Sequence, residues 1–162
     1  KDNIEDIGSL SECLAGASQC LNILTEKAEI NLLEENMSKF NNVAQNIIQL
    51  IREDLLKNDK VFSLDTQIHQ RLLDEMLQKY SFIEALWTND KKGKFIYSNP
   101  PAGIANAKVR DWFKESMAGN EYISSVYISA ITKNPCITVS LPITNHAGTH
   151  IGVIGADLKL HV

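Results

Sequence analysis

The chain has 162 residues, a formal net charge of −4, 44% hydrophobic residues and 22% charged residues, the size and balance of one globular domain. Its acidic balance argues against a nucleic-acid partner, which needs clustered Lys and Arg, and no apolar run of about 18 residues reads as a membrane span. There is no signal peptide and no initiator Met; Lys1 and Val162 both read as cut ends, as in a domain trimmed between two membrane spans.

The chain divides into a helical half and a strand half. From Gly16 to Gly93 there is no Gly or Pro, so helix is permitted throughout. Leu10, Leu14, Ala17, Leu21, Leu24 and Ala28 form one stripe at alternating four-three spacing. Leu33, Met37, Phe40, Ala44, Ile47 and Ile51 form a second, and the phase slips between Ala28 and Leu33. The expectation is one helix from about Ile7 to Leu56, with an antiparallel helical hairpin turning near Asn31 as the competing reading. So long a helix cannot be covered by the remaining residues. Its N-terminal stripe is therefore expected to form a homodimer seam.

Cys13 and Cys20 share a helix face but stand about 10 Å apart along the axis, too far for an intrachain bridge. With Cys136 they read as free thiols. A disulfide across the dimer is the sharper alternative.

Asn58-Asp59-Lys60 closes the long helix, and Ser63 or Asp65 can cap a second over about Asp65 to Lys79. The period then changes to that of strands: Phe82 to Thr88 and Lys94 to Ser98, joined by the Asn89–Gly93 turn. A loop starts at Asn99-Pro100-Pro101, and Val109 to Met117 reads as a short helix stopped by Gly119-Asn120. Strands over Tyr122 to Ser129, Cys136 to Ile143 and Ile151 to Leu158 follow, with connections of hairpin composition. The fold expected is α+β: a long N-terminal helix (1–60) and a five-stranded antiparallel sheet with flanking short helices (61–162), helix covering one sheet face and the loop and short helix the other.

Four segments in register carry a family resemblance. Val109-Arg110-Asp111-Trp112-Phe113 resembles the Arg-x-Trp-Tyr/Phe box of Cache sensor domains. Tyr122-Ile123-Ser124-Ser125-Val126-Tyr127-Ile128-Ser129 resembles their next strand. Pro135-Cys136-Ile137-Thr138-Val139-Ser140-Leu141-Pro142-Ile143 and Ile151-Gly152-Val153-Ile154-Gly155-Ala156-Asp157-Leu158 resemble the two closing strands. The resemblance covers about Phe82 to Leu160. It implies a single, PAS-like Cache unit facing the periplasm or extracellular space and tethered to the plasma membrane. The receptor is foremost a methyl-accepting chemotaxis protein, alternatively a histidine kinase or diguanylate cyclase.

In that family small ligands sit between the sheet and the segment ahead of the short helix. The resemblance places Arg110 as a carboxylate fork, Trp112 and Phe113 as walls, Tyr127 as a phenol donor and Asp157 as an acid for a ligand ammonium. Tyr97 and Ser98 end the second strand within reach. Amino-acid-binding relatives carry another acid two residues after the strand tyrosine, where this chain has Ser129. They also carry a tyrosine ahead of the Arg box, where Ala105 lies nearby. The depleted acid set favours a short carboxylate such as acetate, propionate or pyruvate over an amino acid.

No cofactor, metal site or nucleic-acid partner is expected, and no catalytic motif is present. His146 and His150 lack nearby ligands to complete a metal site. A cytoplasmic PAS-like cofactor module remains the alternative of another class.

Overall fold

The structure is a computed structural model that describes residues 2–130 and 132–160, apart from the side chains of 2–12 and 33. Lys1, Val162 and the side chains of Leu10 and Leu33 lie outside that description. Contacts divide the chain into two units, Lys1–Asn41 and Asn42–Val162.

Helix α1 runs unbroken over Asp2–Ile51. No turn occurs near Asn31, so the hairpin alternative is excluded. Within the first unit the stripe residues Leu14, Leu21, Leu24 and Met37 are exposed, as are Cys13 and Cys20. In the second unit the helix end changes character. Ala44, Ile47, Ile48 and Ile51 are buried, on the i, i+3, i+4, i+7 spacing of a core-facing stripe.

A π-helical turn, Arg52–Leu56, follows directly, and Lys57 N–H donates to Arg52 O at 3.1 Å. The extra residue per turn accompanies two ties. Arg52 pairs with Glu121, and Asp54 accepts from Lys79 Nζ and the Tyr80 hydroxyl, each at 2.9 Å. These donors hold the Asp54 carboxyl below the usual carboxylate range.

A 3-10 turn, Asp59–Ser63, leads to α2, Thr66–Lys79. Asp65 caps α2 by accepting from Gln67 N–H and Ile68 N–H, which satisfies two of the helix's first-turn donors.

The sheet contains β1 (Ile83–Asp90), β2 (Phe95–Asn99), β3 (Tyr122–Ile123), β4 (Tyr127–Ile128), β5 (Pro135–Thr144) and β6 (His150–Lys159). All pairings are antiparallel, in the order β2-β1-β6-β5-β3, with β4 pairing β5 off this path. Helix α3, Asp111–Met117, lies between β2 and β3 in sequence. At the β1–β2 turn Gly93 has φ +80°, and a Cβ there would meet Asn106 Oδ1 at 2.5 Å; only glycine fits.

The antiparallel α+β sheet agrees with expectation, but the strand read as Tyr122 to Ser129 is broken into β3 and β4. Side-chain chemistry makes the break. Ser124 N–H donates to Thr138 O, and Ser124 Oγ accepts from Thr138 N–H, so a hydroxyl replaces the backbone partner where the chain leaves the ladder.

Alternation along β5 and β6 produces two different faces. One carries Ile137, Val139, Leu141 and Ile143 of β5 with Ile154, Ala156 and Leu158 of β6, all buried. Burying each aliphatic side chain contributes roughly 1.5–3 kcal/mol. On β1 the same face presents Thr88, where α2 delivers His69, 1% exposed. His69 Nε2–H donates to Val61 O at 2.9 Å, so Nδ1 accepts from the Thr88 hydroxyl at 2.7 Å. The other face carries Trp87, Thr138, Ser140 and Asp157, with α3 and the preceding loop against it.

Burial depresses the His69 pKa below its ordinary value, against the opposing influence of Val61 O and Asp65. A lowered histidine pKa favours the fold while the ring is neutral. Stability is fully present above about pH 6.5, the unfolded value, and is lost as pH falls below it. The urea midpoint is therefore expected to drop between pH 7.5 and 5.5, and the drop to shrink in His69→Gln. Equal drops in both proteins would refute the assignment.

Candidate functional site

A cavity of about 560 Å³ opens on the polar face of the sheet, within the roughly 300–1,000 Å³ usual for small-molecule sites. Its floor is Ala85 and Trp87 of β1, Thr138 of β5 and Asp157 of β6. Phe95 and Ser98 of β2 and the Pro100–Ile104 loop form one side, Arg110 and Trp112 close another, and Tyr122, Ser124, Tyr127 and Ala130 complete it.

Trp87 is positioned by Gly155. The two are paired across β1 and β6, and a Cβ at Gly155 would meet the indole at 2.5 Å. Absence of a side chain lets the ring lie down on β6 as a flat floor. Trp112 meets it edge-on with centroids 5.2 Å apart. Trp87 is 7% exposed, and its Nε1–H finds no acceptor among the described residues. An unmet buried donor is costly, about 1–3 kcal/mol.

Arg110 precedes α3 as its N-cap, in extended backbone. The side chain lines the cavity and is exposed. No carboxylate among the described residues pairs with its guanidinium; neighbouring Asp111 turns to Lys114 at 3.6 Å.

The other charged end is Asp157. Thr138 Oγ1 donates to Asp157 Oδ1 at 2.7 Å, Tyr127 OH therefore donates to Thr138 Oγ1 at 2.9 Å, and Cys136 Sγ–H lies 3.4 Å from Tyr127 OH. The chain of hydroxyls ends on the carboxylate, which polarises every member. Burial raises the Asp157 pKa above its ordinary value, with Glu84 adding to the rise and Thr138 and Tyr127 opposing it. Burial likewise raises the Tyr127 phenol and pushes the Cys136 thiol up to about 11, so both stay protonated near neutrality.

Of the residues singled out in the sequence, Arg110, Trp112, Tyr127, Asp157 and Ser98 line this one cavity. Three do not. Phe113 is 4% exposed and packs with Ala107 and Val153 in the core beneath α3, because successive helix positions point about 100° apart. Tyr97 lies on the opposite sheet face from Ser98, where its hydroxyl donates to Asp74 of α2 at 2.8 Å. Ser129 is buried, and its hydroxyl donates to Glu84.

Residues passed over in the sequence but present at the cavity are Trp87, Phe95, Tyr122 and Thr138, and the Pro100–Ile104 loop belongs to the segment ahead of the short helix to which the family resemblance pointed. Trp87 carried no local signal, because what makes it a floor is its pairing in register with Gly155, a small residue facing a large one. His146 and His150 form no metal cluster among the described residues; His146 lies 3.3 Å from Asp59 and edge-on to Phe62.

The Cache domain family model matches residues 21–162. The chain belongs to the Cache domain family. It is a Cache-type ligand-sensing domain, as the four sequence segments implied. The domain is 32% identical over 139 residues to a "probable methyl-accepting chemotaxis protein" of Bacillus thuringiensis subsp. konkukian, covering 79% of this chain and 20% of that protein. It is also similar, at 23% identity over 129 residues, to a protein of Syntrophus aciditrophicus named citrate (Re)-synthase, covering 72% of this chain and 20% of that one.

Among solved structures, the ligand-binding domain of a Pseudomonas aeruginosa amino acid chemoreceptor in complex with GABA aligns with TM-score 0.60 and 21% identity, over 78% of this chain and 56% of the other. That of a Pseudomonas fluorescens chemoreceptor in complex with L-alanine gives 0.55 and 24%, over 79% and 58%. These likenesses show the fold. The Cache domain spans about half the length of the solved chains and a fifth of the curated relatives. No helix among its described residues is long and apolar enough to cross a membrane.

Proposed function

We propose that this Cache domain is the extracytoplasmic sensor of a membrane-tethered chemoreceptor and binds, without converting, a small metabolite held by its carboxylate. The observation that carries this reading is the guanidinium of Arg110, which pairs with no carboxylate among the described residues, at the side of a cavity of small-molecule size. A guanidinium fork matches a carboxylate in two hydrogen bonds. The unpartnered Nε1–H of Trp87 is a further donor among the same lining residues. Trp87, Phe95 and Trp112 supply apolar surface for a short carbon skeleton.

The relatives support the chemoreceptor context, and the solved neighbours were captured with amino acids, which places amino acids beside simple acids as the compounds to compare. We further propose that the exposed apolar stripe of α1, with Leu14, Leu21 and Leu24, forms a homodimer seam in the intact receptor. The seam residues lie within 1–60, the dimerising segment of the sequence reading, and ahead of the buried stripe of Ala44, Ile47, Ile48 and Ile51, which belongs with the sensing unit. Leu21→Glu is expected to lower the dimer fraction in sedimentation equilibrium; an unchanged fraction would remove the seam.

Isothermal titration against amino acids and the corresponding simple acids tests the binding reading. The expected result is a ligand among them whose affinity falls at least about tenfold, about 1.4 kcal/mol, in Arg110→Ala, with unchanged circular dichroism. Binding that survives the loss of the guanidinium would overturn the role given to it.

A further inference from the structure

Two rows of side chains cross the cavity face of the sheet, and they differ in bulk. One runs through Ala85 of β1, Asp157 of β6, Thr138 of β5 and Ser124, the residue after β3. All four are short, and all four line the cavity. The next row runs through Ser98 of β2, Trp87 of β1, Gly155 of β6 and Ser140 of β5. It carries one large side chain among three small ones. Beyond it, two residues further along β6, Val153 packs with Ala107 and Phe113 in the core beneath α3. The Trp87 indole therefore stands between the open row and the packed core.

The backbone does not require glycine at position 155. The glycines with positive φ are Gly93, Gly119 and Gly148. What excludes a side chain at Gly155 is the indole: a Cβ would meet Trp87 Cε2 and Cζ2 at 2.5 Å and Nε1 at 2.6 Å. No hydrogen bond holds the ring in that gap, since its Nε1–H has no acceptor among the described residues. Shape holds it, between the space over Gly155 and the edge-on ring of Trp112. The neighbouring Ser140 leaves the space open, because its hydroxyl is engaged by Trp112 O and Ser116 of α3.

Resting on the reading of this cavity as a small-molecule site, we infer that the Trp87–Gly155 pair is specificity-determining: the indole, seated in the space left by Gly155, is a stop that limits the length of the carbon chain carried by a carboxylate on Arg110. The effect is one of volume, and it runs in two directions. A smaller side chain at Trp87 opens the cavity toward the core beneath α3. A methyl group at Gly155 lifts the ring into the cavity and shortens it.

Titration calorimetry against two straight-chain series, acetate to hexanoate and L-alanine to L-norleucine, reads that limit. Within it, each added methylene is expected to strengthen binding about fourfold. Past it, crowding reverses the trend, so wild-type affinity passes through a maximum in whichever series binds. In Trp87→Leu the maximum is expected at a chain at least one carbon longer, with compounds past the wild-type limit gaining about tenfold. In Gly155→Ala it is expected at a shorter chain. Thermal unfolding checks that each variant folds, and Trp87→Phe, a smaller aromatic ring with the same expected direction, stands in where Trp87→Leu does not. A maximum at an unchanged chain length in the folded variants, whatever happens to overall affinity, refutes the role of the pair while the cavity stands. Wild-type affinity that climbs through a whole series refutes the stop. Failure of every compound to bind overturns both readings.

Discussion

The two-faced alternation of β5 and β6 is the constraint on which everything else rests. Each strand places aliphatic side chains on one side, and on the other Thr138 and Asp157 at the cavity, Ser140 and Gly155 beside them, and Val153 packed beneath α3. The aliphatic side supplies most of the burial that holds the sheet, and the other side is shared between the small core beneath α3 and the cavity. A one-residue slip in register would exchange the two faces and bury Asp157 among leucines. Turns at both ends oppose such a slip. Asn145 Oδ1 accepts from Ala147 N–H and Thr149 N–H at the β5–β6 turn, and Asp90 Oδ1 accepts from Lys92 N–H and Lys94 N–H at the β1–β2 turn.

From that constraint the cavity acquires two unlike ends. Arg110 belongs to the segment leading into α3, and Asp157 to the sheet itself. A ligand bridging them would tie the segment ahead of α3 to the sheet. The anchoring of α3 is already polar: Ser140 Oγ donates to Trp112 O at 2.8 Å and accepts from Ser116 Oγ at the same distance. Ligand can shift such an arrangement only by the difference in its affinity for two states. The Arg110 guanidinium, which pairs with no carboxylate among the described residues, is a natural source of that difference. On the far face, Asp74 of α2 accepts from both Tyr97 and Asn99, so the start of the Pro100–Ile104 wall is also tied to the helical side.

Much of the fold was legible in the sequence because its signals are local. Asp65 announces a helix, Gly93 a turn, and the spacing of Ala44, Ile47 and Ile51 a buried stripe. The Arg110–Trp112 segment and Asp157 were legible through family resemblance. What was not legible depends on pairing. A register shift between Thr88 and Asn89 sets which of Tyr97 and Ser98 reaches the cavity, and no window of sequence contains both strands. Phe113 was read as a wall because it stands beside Trp112, but the helix turns it into the core. The strand expected over Tyr122 to Ser129 fails because Ser124 and Thr138 satisfy one another across the sheet. Glu84 lies 45 residues from Ser129, so a scan for acids near Tyr127 passes it by.

The most direct measurement is a crystal structure of the domain soaked with the amino acid that binds most tightly. The account requires ligand density over Trp87, with the ligand's carboxylate on Arg110. Ligand seated instead in the groove between Arg52 and Pro142 on the other side of the sheet, with the cavity empty, would contradict it.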